Sequence, residues 1–554
     1  MSHPGSWRLR REAPAGLKPW MRLAQAWSLD EASARLAWMR GIDEPEELAW
    51  RLDATWARTT DPHLLPGVDA AVARIRQALE AGGPITVYGD YDVDGVTATA
   101  LLVRVLEKLG ARVDFFIPNR FNDGYGLHLE CIRELKERRD PGLLISVDCG
   151  VRSVAEVAAS AELGLEWVIT DHHALGPELP PACAVVHPLL EGYGNPYLSG
   201  VGVAFKLAQA LLGAVPVPSG ADAAFLDGLL KLVAIGTVAD MVPLKGENAL
   251  LVRRGLEALG GANGPGLAAL LRAARVEGEP SAQDLAFGVG PRLNAVGRMG
   301  GAEDAVRLLL CRDAREADTL MARVETLNQE RRQTQRELAQ RLPAPGAEAF
   351  DLVVEPEAHK GVIGIVAGSR MRDSGKPTAV CTVLEGVAHC SLRAPEGFDL
   401  TALLDQARPF LQGGGGHRLA AGMTFPLGNL AFIRATLEKG AREQAAHLPA
   451  TERVLDAWGP AEIPGARALA ALEPWGQGFP VPLAGLEGEL LDPVKTFGEG
   501  HWKLRLQGVA EPLTWFFGAE RSAPLTAGQR LRVAAAPQDQ DRWGRSWLVE
   551  GPLP

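Results

Sequence analysis

Five short apolar runs recur between residues 84 and 187: 84–88 (PITVY), 112–117 (RVDFFI), 142–147 (GLLISV), 166–170 (EWVIT) and 183–187 (CAVVH). Stretches with helical character separate them, of which 96–109 (VTATALLVRVLEKL) carries an apolar face. Short buried strands joined through helices pair in parallel, because each crossover returns the chain to the same end of the sheet. The pattern therefore predicts a mostly parallel α/β sheet.

Acids gather where these runs end. Asp90, Asp92 and Asp94 follow the first in VYGDYDVDG, Asp148 follows the third in SVDCG, and Asp171-His172-His173 follow the fourth in TDHH. Open parallel sheets bind ligands outside the carboxyl ends of their strands. Three strands thus deliver carboxylates and imidazoles to one edge. Alternate residues of an extended segment point the same way, and crowded carboxylates repel unless cations sit among them. One or two divalent ions, which favour oxygen ligands, answer that need. The rival is a solvated turn with Asp94 as the helix N-cap, which suits one aspartate better than three. Further on, 230–241 (LKLVAIGTVADM) reads as an apolar helix ending in Asp240 before Val242-Pro243-Leu244. Alone, Asp240 would be a cap; beside the other acids it is a candidate ligand.

At 554 residues the chain exceeds one core, and about three or four domains are expected. No run of about 18 apolar residues predicts a membrane span, and MSHPGSWRLRREAPAG lacks the apolar centre of a secretory signal. Six cysteines without a CxxC pair point to reduced thiols in a cytoplasmic protein and away from structural zinc. A net charge of −11 argues against binding nucleic acid through a global field, while leaving room for a local basic groove.

Residues 1–75, with helical stretches at 30–39 and 45–52, read as a lead-in without chemistry. The charged stretch 314–342 reads as a long connecting helix, its apolar spacing too irregular for a coiled-coil seam. Strands at 351–354 and 378–383 open a second α/β domain. There, Gly413–Gly416 with His417 and Arg418 form a Gly-rich loop that could offer N–H groups to phosphate oxygens or be a plain flexible turn. From about 453, Trp475, Trp502, Trp515, Phe516, Phe517, Trp543 and Trp547 interleave with Lys503, Arg505, Arg530, Arg532, Arg542 and Arg545. Alternating stretches at 501–506 and 529–534 suggest a small OB-like β-barrel with aromatic platforms for single strands. Trp502, Trp515 and Trp543 are the candidate stacking rings; the rival is that they are barrel core.

YGDYDVDG, SVDCG, TDHH and GTVADMVPL resemble, in order and spacing, the four motifs of the DHH phosphoesterase superfamily, most nearly its RecJ branch of single-strand-specific 5′→3′ DNA exonucleases. The stretches 119–126 (NRFNDGYG), 200–205 (GVGVAF), 290–299 (GPRLNAVGRM) and 474–482 (PWGQGFPVP) resemble the same branch. The resemblance implies a parallel-sheet DHH catalytic domain at 76–312 after the 1–75 lead-in, a connecting helix at 313–343, a DHH-associated substrate-binding α/β domain at 344–450 and an OB-like domain at 451–554. It implies that Asp90, Asp92, Asp94, Asp148, His172 and Asp240 hold two ions, Mn²⁺ or Mg²⁺, with Asp148 bridging. His173 would touch the scissile phosphate, and Asp171 would join the catalytic set or orient a neighbouring imidazole. One departure stands out: the pyrophosphatase branch has a histidine where this chain has Tyr88, so Asp90 would supply that ligand.

GGHRLAAG and Ser391-Leu392-Arg393 resemble the substrate elements of the DHH-associated domain, which in the family faces the metals across a cleft. By that resemblance Gly414, Gly415, Gly416, His417, Ser391 and Arg393, with Arg292, Arg298 and His359, would bind substrate, the arginine forks suiting a terminal phosphate. Surface salt bridges are the rival for Arg292 and Arg298, and a capping role for His359. The implied function is metal-dependent degradation of single-stranded DNA, 5′→3′, to mononucleotides in DNA repair and recombination. No Walker A loop or Ser-His-Asp triad suggests ATP use or a covalent intermediate. The expected partners are single-stranded DNA with a 5′-phosphate, a single-strand-binding protein and a RecQ-type helicase, with no membrane and a monomeric enzyme. Two rival functions remain. A DHH phosphodiesterase of short oligonucleotides, cyclic dinucleotides or pyrophosphate would not need the aromatic-basic C-terminal module. A non-catalytic single-strand-binding relative would have lost ligands that are all present.

Overall fold

The structure, a computed structural model, describes residues 7–119, 126–213, 218, 220–448, 453–540 and 544–552. Most of 119–126 and all of Trp543 lie outside them. The described residues form two compact units, one of 295–301 with 322–448 and the other of the remainder.

In the larger unit all five apolar runs are strands: Pro84–Gly89, Arg112–Phe116, Leu143–Val147, Trp167–Thr170 and Ala184–Val186. All pair in parallel. Pro84–Gly89 lies between Arg112–Phe116 and Leu143–Val147, and the other two strands follow beyond Leu143–Val147. Every residue of Leu143–Val147 and Trp167–Thr170 is buried, as in a sheet covered on both faces. The strand order reverses between Pro84–Gly89 and Leu143–Val147, and ligands collect outside the strand ends at such a switch point.

Helix Val93–Lys108 leaves this edge and packs between helices Gly200–Leu211 and Gly220–Ala239. The last is longer than 230–241 and stops before Asp240. Met241 adopts a left-handed φ of 62°, and Val242, preceding Pro243, is disfavoured in a helix.

The N-terminal stretch is more than a lead-in. Strand Trp7–Leu9 pairs in parallel with Arg453–Leu455. Trp20, Leu23, Trp38 and Leu48 share one core with Trp502, Trp515 and Trp547 of the C-terminal barrel. A buried Arg40–Asp456 ion pair, 2.9 Å, ties the two regions together. The barrel sheet runs in the order Ala457–Trp458, Ala484–Glu489, Arg530–Gln540, Gly544–Pro552, Leu513–Trp515, His501–Leu504, Lys495–Phe497. Trp502 is 6% exposed and Trp515 0%, their rings edge to face at 5.8 Å. These two tryptophans are therefore core, not stacking platforms. Strand alternation sends Trp502 and Leu504 inward and Lys503 outward.

The smaller unit holds a five-stranded sheet in the order Gly413–Gly416, Ala420–Pro426, Val387–Arg393, Thr378–Leu384, Asp351–Val354. Its two faces are packed separately. Leu352, Ala379 and Leu392 join one core with helices Leu400–Ala407 and Leu430–His447, while Val353 and Val380 join another with helix Ile363–Ser374. The glycine run is an exposed edge strand rather than a loop. Cys381 and Cys390 sit opposite each other in register and form a disulfide, correcting the expectation of reduced thiols throughout. The hairpin brings together two cysteines that no short motif links. Helix Ala314–Arg341 is continuous over 28 residues. Among the described residues no helix is long and apolar enough to cross a membrane.

Candidate metal centre

Register places the first acids. Gly89 pairs with Val147, and Val147 with Thr170. The residue after each is Asp90, Asp148 or Asp171, so three carboxylates leave adjacent strands, about 4.8 Å apart, at one edge. All three are buried. Asp148 turns the chain with a left-handed φ of 62°.

Asp92, not Asp94, caps helix Val93–Lys108, accepting from Asp94 N at 2.9 Å and Gly95 N at 3.2 Å. Asp94 reaches across to the start of helix Gly200–Leu211, where its two oxygens accept from Gly200 N at 2.6 Å and Val201 N at 2.9 Å. A Cβ on Gly200 would lie 2.5 Å from Asp148 Oδ1, so only glycine lets the helix end approach this closely. Asp240 enters from the end of helix Gly220–Ala239.

His172 stands at the centre. Its Nε2 lies 3.2 Å from Asp148 Oδ1, 3.6 Å from Asp240 Oδ2 and 3.8 Å from Asp94 Oδ2. Three sets of ligand atoms each fall within 4.8 Å: Asp90, Asp92 and Asp148; Asp94, His172 and Asp240; Asp148, His172 and His173. Asp148 and His172 each belong to two sets. Asp90 Oδ1 and His172 Nε2 are buried without a hydrogen-bond partner. Burial, and the charges of the other aspartates, raise Asp90, Asp148 and Asp240 well above the usual carboxylate range and Asp94 to about 7. Burial also pulls His172 down to about 3, leaving a neutral imidazole with a lone pair to give. An orphaned carboxylate oxygen and imidazole nitrogen among mutually repelling acids fit divalent cations taking oxygen and nitrogen ligands. The absence of thiolates disfavours zinc.

Asp171 has another task. Its Oδ1 accepts from His173 Nδ1 at 2.8 Å and from the His172 and His173 amides, and its Oδ2 from Val151 N at 2.9 Å. Burial pushes its pKa up, but these bonds and the charge of His173 outweigh it and hold the group at about 2. Burial likewise pulls His173 down, but Asp171 more than compensates and raises it. His187, the last residue of CAVVH and not among the expected site residues, supports His173. Its Nδ1 accepts from Leu189 N, so its Nε2 carries the proton given to His173 O at 2.8 Å. Its only sequence signal was a histidine ending a buried strand.

The smaller unit gathers several of the expected substrate residues. Ser391 and Arg393 lie on one face of strand Val387–Arg393, with Arg393 Nη1 donating to Ser391 Oγ at 3.1 Å. They border the start of helix Ile363–Ser374: a Cβ on Gly364 would lie 2.9 Å from Ser391 Oγ and 3.3 Å from Arg393 Nη2. His359 Nδ1 accepts from Gly361 N at 3.1 Å, a local turn, and Arg298 packs on Gly361. Gly414, Gly415 and Gly416 lie on the exposed edge strand, with His417 N donating to Ala420 O at the turn that follows. Arg292 belongs to the larger unit, where its Nη1 donates to Gly288 O at 2.8 Å.

The barrel also carries a cluster of exposed aromatics. Phe497, Phe516 and Phe517, 37%, 42% and 38% exposed, surround the His501 ring at 5.3, 5.1 and 4.6 Å. Lys503 Nζ lies 5.5 Å from the Phe497 centroid.

The family model for the DHH family N-terminal domain matches residues 84–237, that for the DHHA1 domain 348–443, and that for the RecJ OB domain 462–547. The single-stranded-DNA-specific exonuclease RecJ of Bacillus subtilis is 37% identical over 90% of this chain, which spans 64% of that protein's length. RecJ of Thermus thermophilus is 37% identical over 92% of this chain and 73% of its own, and RecJ of Escherichia coli 33% over 90% and 88%. The crystal structure of Thermus thermophilus RecJ with Mn²⁺ superposes with a TM-score of 0.84 at 31% identity, over 99% of this chain and 79% of that one.

Proposed function

This chain belongs to the RecJ family of single-stranded-DNA-specific exonucleases, and from that premise we propose that it degrades single-stranded DNA from the 5′ end to mononucleotides, in DNA repair and recombination. The observation that carries the reading is the convergence of Asp90, Asp92, Asp94, Asp148, His172 and Asp240 at the switch point of the parallel sheet.

These six residues would hold two divalent ions, Mn²⁺ or Mg²⁺, and Asp148, which belongs to two of the ligand sets, would serve both. The solved Thermus thermophilus relatives in complex with Mn²⁺ and Mg²⁺ support that choice. When bound, such a pair supplies Lewis acidity to the attacking water, the phosphate and the leaving oxygen. Asp171 fixes the His173 ring by its Nδ1–H and keeps it protonated, leaving Nε2 to donate to the scissile phosphate. Ser391 and Arg393, at the start of helix Ile363–Ser374, receive a 5′-phosphate. Backbone N–H groups at a helix start and an arginine fork are suited to that group. Arg298, His359, Gly414, Gly415, Gly416, His417 and Arg292 complete the substrate set. Phe497, Phe516 and Phe517 offer stacking faces to unpaired bases in place of Trp502 and Trp515.

The enzyme works as a cytoplasmic monomer beside a single-strand-binding protein and a RecQ-type helicase. The test is a 5′-phosphorylated single strand supplied with Mn²⁺ or Mg²⁺. It should yield mononucleotides from its 5′ end, and a blunt duplex of the same sequence should resist. Equal digestion of the two, or activity confined to dinucleotides, would count against the proposal.

A further inference from the structure

The loop that follows Asp240 is anchored from outside the DHH domain. Past Met241 the chain runs through 242–245 without regular structure. Asn248 Nδ2 donates to Pro243 O at 3.1 Å. At Leu244 the N–H donates to Gln477 O at 2.8 Å, and the carbonyl accepts from Arg51 Nη2. The other arm of Arg51, Nη1, donates to Leu472 O and Pro474 O, both at 3.0 Å. Its guanidinium carbon lies 3.4 Å from the centroid of the Phe479 ring. The two glycines of PWGQGFP make room for the loop: a Cβ on Gly476 would lie 2.7 Å from Leu244 Cδ1, and one on Gly478 3.2 Å from Pro243 Cβ.

Arg51 is 2% exposed and has no carboxylate partner among the described residues. Burial first, then the charges of Arg40 and Arg253, pull its pKa down to about 9, so it is still a cation at neutral pH. A buried cation without a counter-charge costs free energy that a packed methionine would not. What the guanidinium provides is a planar fork whose arms reach carbonyls on two segments at once. One segment ends four residues after Asp240. The other, 472–479, leads into the strands of the C-terminal barrel.

We infer that Arg51 is a positioning residue for the metal centre: by fastening Leu244 to the 472–479 segment it sets where Asp240 stands, so metal affinity depends on the C-terminal barrel as well as on the DHH domain. The inference rests on the reading of Asp240 as a metal ligand. A neighbour, Arg253, holds the same region without a hydrogen bond to the loop, although it also grips the Arg51 carbonyl. Arg253 Nη1 donates to Arg51 O at 2.8 Å, Ala471 O at 2.7 Å and Glu473 O at 3.5 Å.

The experiment titrates the full-length, chelator-stripped protein with Mn²⁺ and reads the free ion by electron paramagnetic resonance. It compares wild type with Arg51→Met, Arg51→Lys, Arg253→Met and Asp240→Asn. Arg51→Met and Arg51→Lys should each weaken Mn²⁺ binding by about 10-fold, the lysine because a single ammonium cannot bridge both segments. Arg51→Lys keeps the buried charge, so the measurement stands even if the methionine variant does not fold. Arg253→Met, which leaves the Arg51 guanidinium in place, should lower the melting temperature and weaken Mn²⁺ binding less than either Arg51 variant. Wild-type affinity in Arg51→Lys, or an equal loss in Arg253→Met, overturns the inference. Unchanged binding in Asp240→Asn overturns the reading of Asp240 itself, and the positioning role with it.

Discussion

His172 Nε2 stands 3.2 Å from Asp148 Oδ1, a separation that only a proton or a cation between the two atoms makes favourable. Burial and four other aspartates press Asp148 toward keeping its proton, and burial keeps His172 neutral. A divalent cation binding between these two atoms would therefore displace protons.

Asp148→Ala should abolish cleavage while sparing single-strand binding. On the two-ion reading the variant would lose several kcal/mol of charge stabilisation, so turnover of a 5′-phosphorylated oligonucleotide should drop by at least about 10³-fold. Fluorescence anisotropy of the same oligonucleotide should change little. Robust cutting by this variant would remove Asp148 from the bridging position.

Asp171→Asn should act through His173. The amide cannot sustain the imidazolium that the carboxylate holds, so kcat should fall by about 10- to 100-fold with KM nearly unchanged. Mn²⁺ stoichiometry should stay that of wild type. A lost ion instead would make Asp171 a ligand.

The metal-free protein should become less stable as pH rises. Asp94 has a folded pKa of about 7, raised from 3.8 by burial first and by Asp92 second. Asp90, Asp148 and Asp240 move the same way. A raised carboxylate contributes stability that is fully present below the unfolded value and is lost as pH climbs through the folded value. With chelator present, the melting temperature should thus fall between about pH 5 and pH 8, and saturating Mn²⁺ should cancel the fall. A flat melting profile with chelator would contradict the crowding of ionised acids on which the site is built.

The two sets of barrel aromatics should separate cleanly. Trp515→Ala should cost about 3–5 kcal/mol of stability, read by denaturant unfolding. Phe497→Ala, Phe516→Ala and Phe517→Ala should leave unfolding nearly unchanged and weaken oligonucleotide binding by about 1–3 kcal/mol per ring. If the tryptophan variant folds normally and loses binding instead, the assignment of core and platform is reversed.

The strand-end acids were legible in the sequence because a buried strand fixes both their direction and their edge. Asp90, Asp148 and Asp171 needed only the parallel pairing to become neighbours. The partner of Asp94 was not legible: its hydrogen bonds go to Gly200 and Val201, and a helix start advertises no such long-range acceptor. Trp502 and Trp515 misled because strand alternation marks two faces without saying which one meets solvent. The same ambiguity hid the partnership of Trp20 and Trp38 with the barrel, since an apolar stripe names no counterpart. The Cys381–Cys390 bond depended on hairpin register, which composition does not carry.

The parallel pairing of Trp7–Leu9 with Arg453–Leu455 has a consequence for synthesis. Chain emerges from the ribosome at about 5–20 residues per second, and domains fold as their residues appear. Here Trp7–Leu9 waits for Arg453–Leu455, so the core that the N-terminal stretch shares with the barrel closes only once the barrel strands have been made. Until then the nascent chain has its acidic strand ends but lacks the 472–479 segment that seats Leu244. On the positioning role inferred for Arg51, the cluster of acids would reach its full affinity for cations only after that segment has been made.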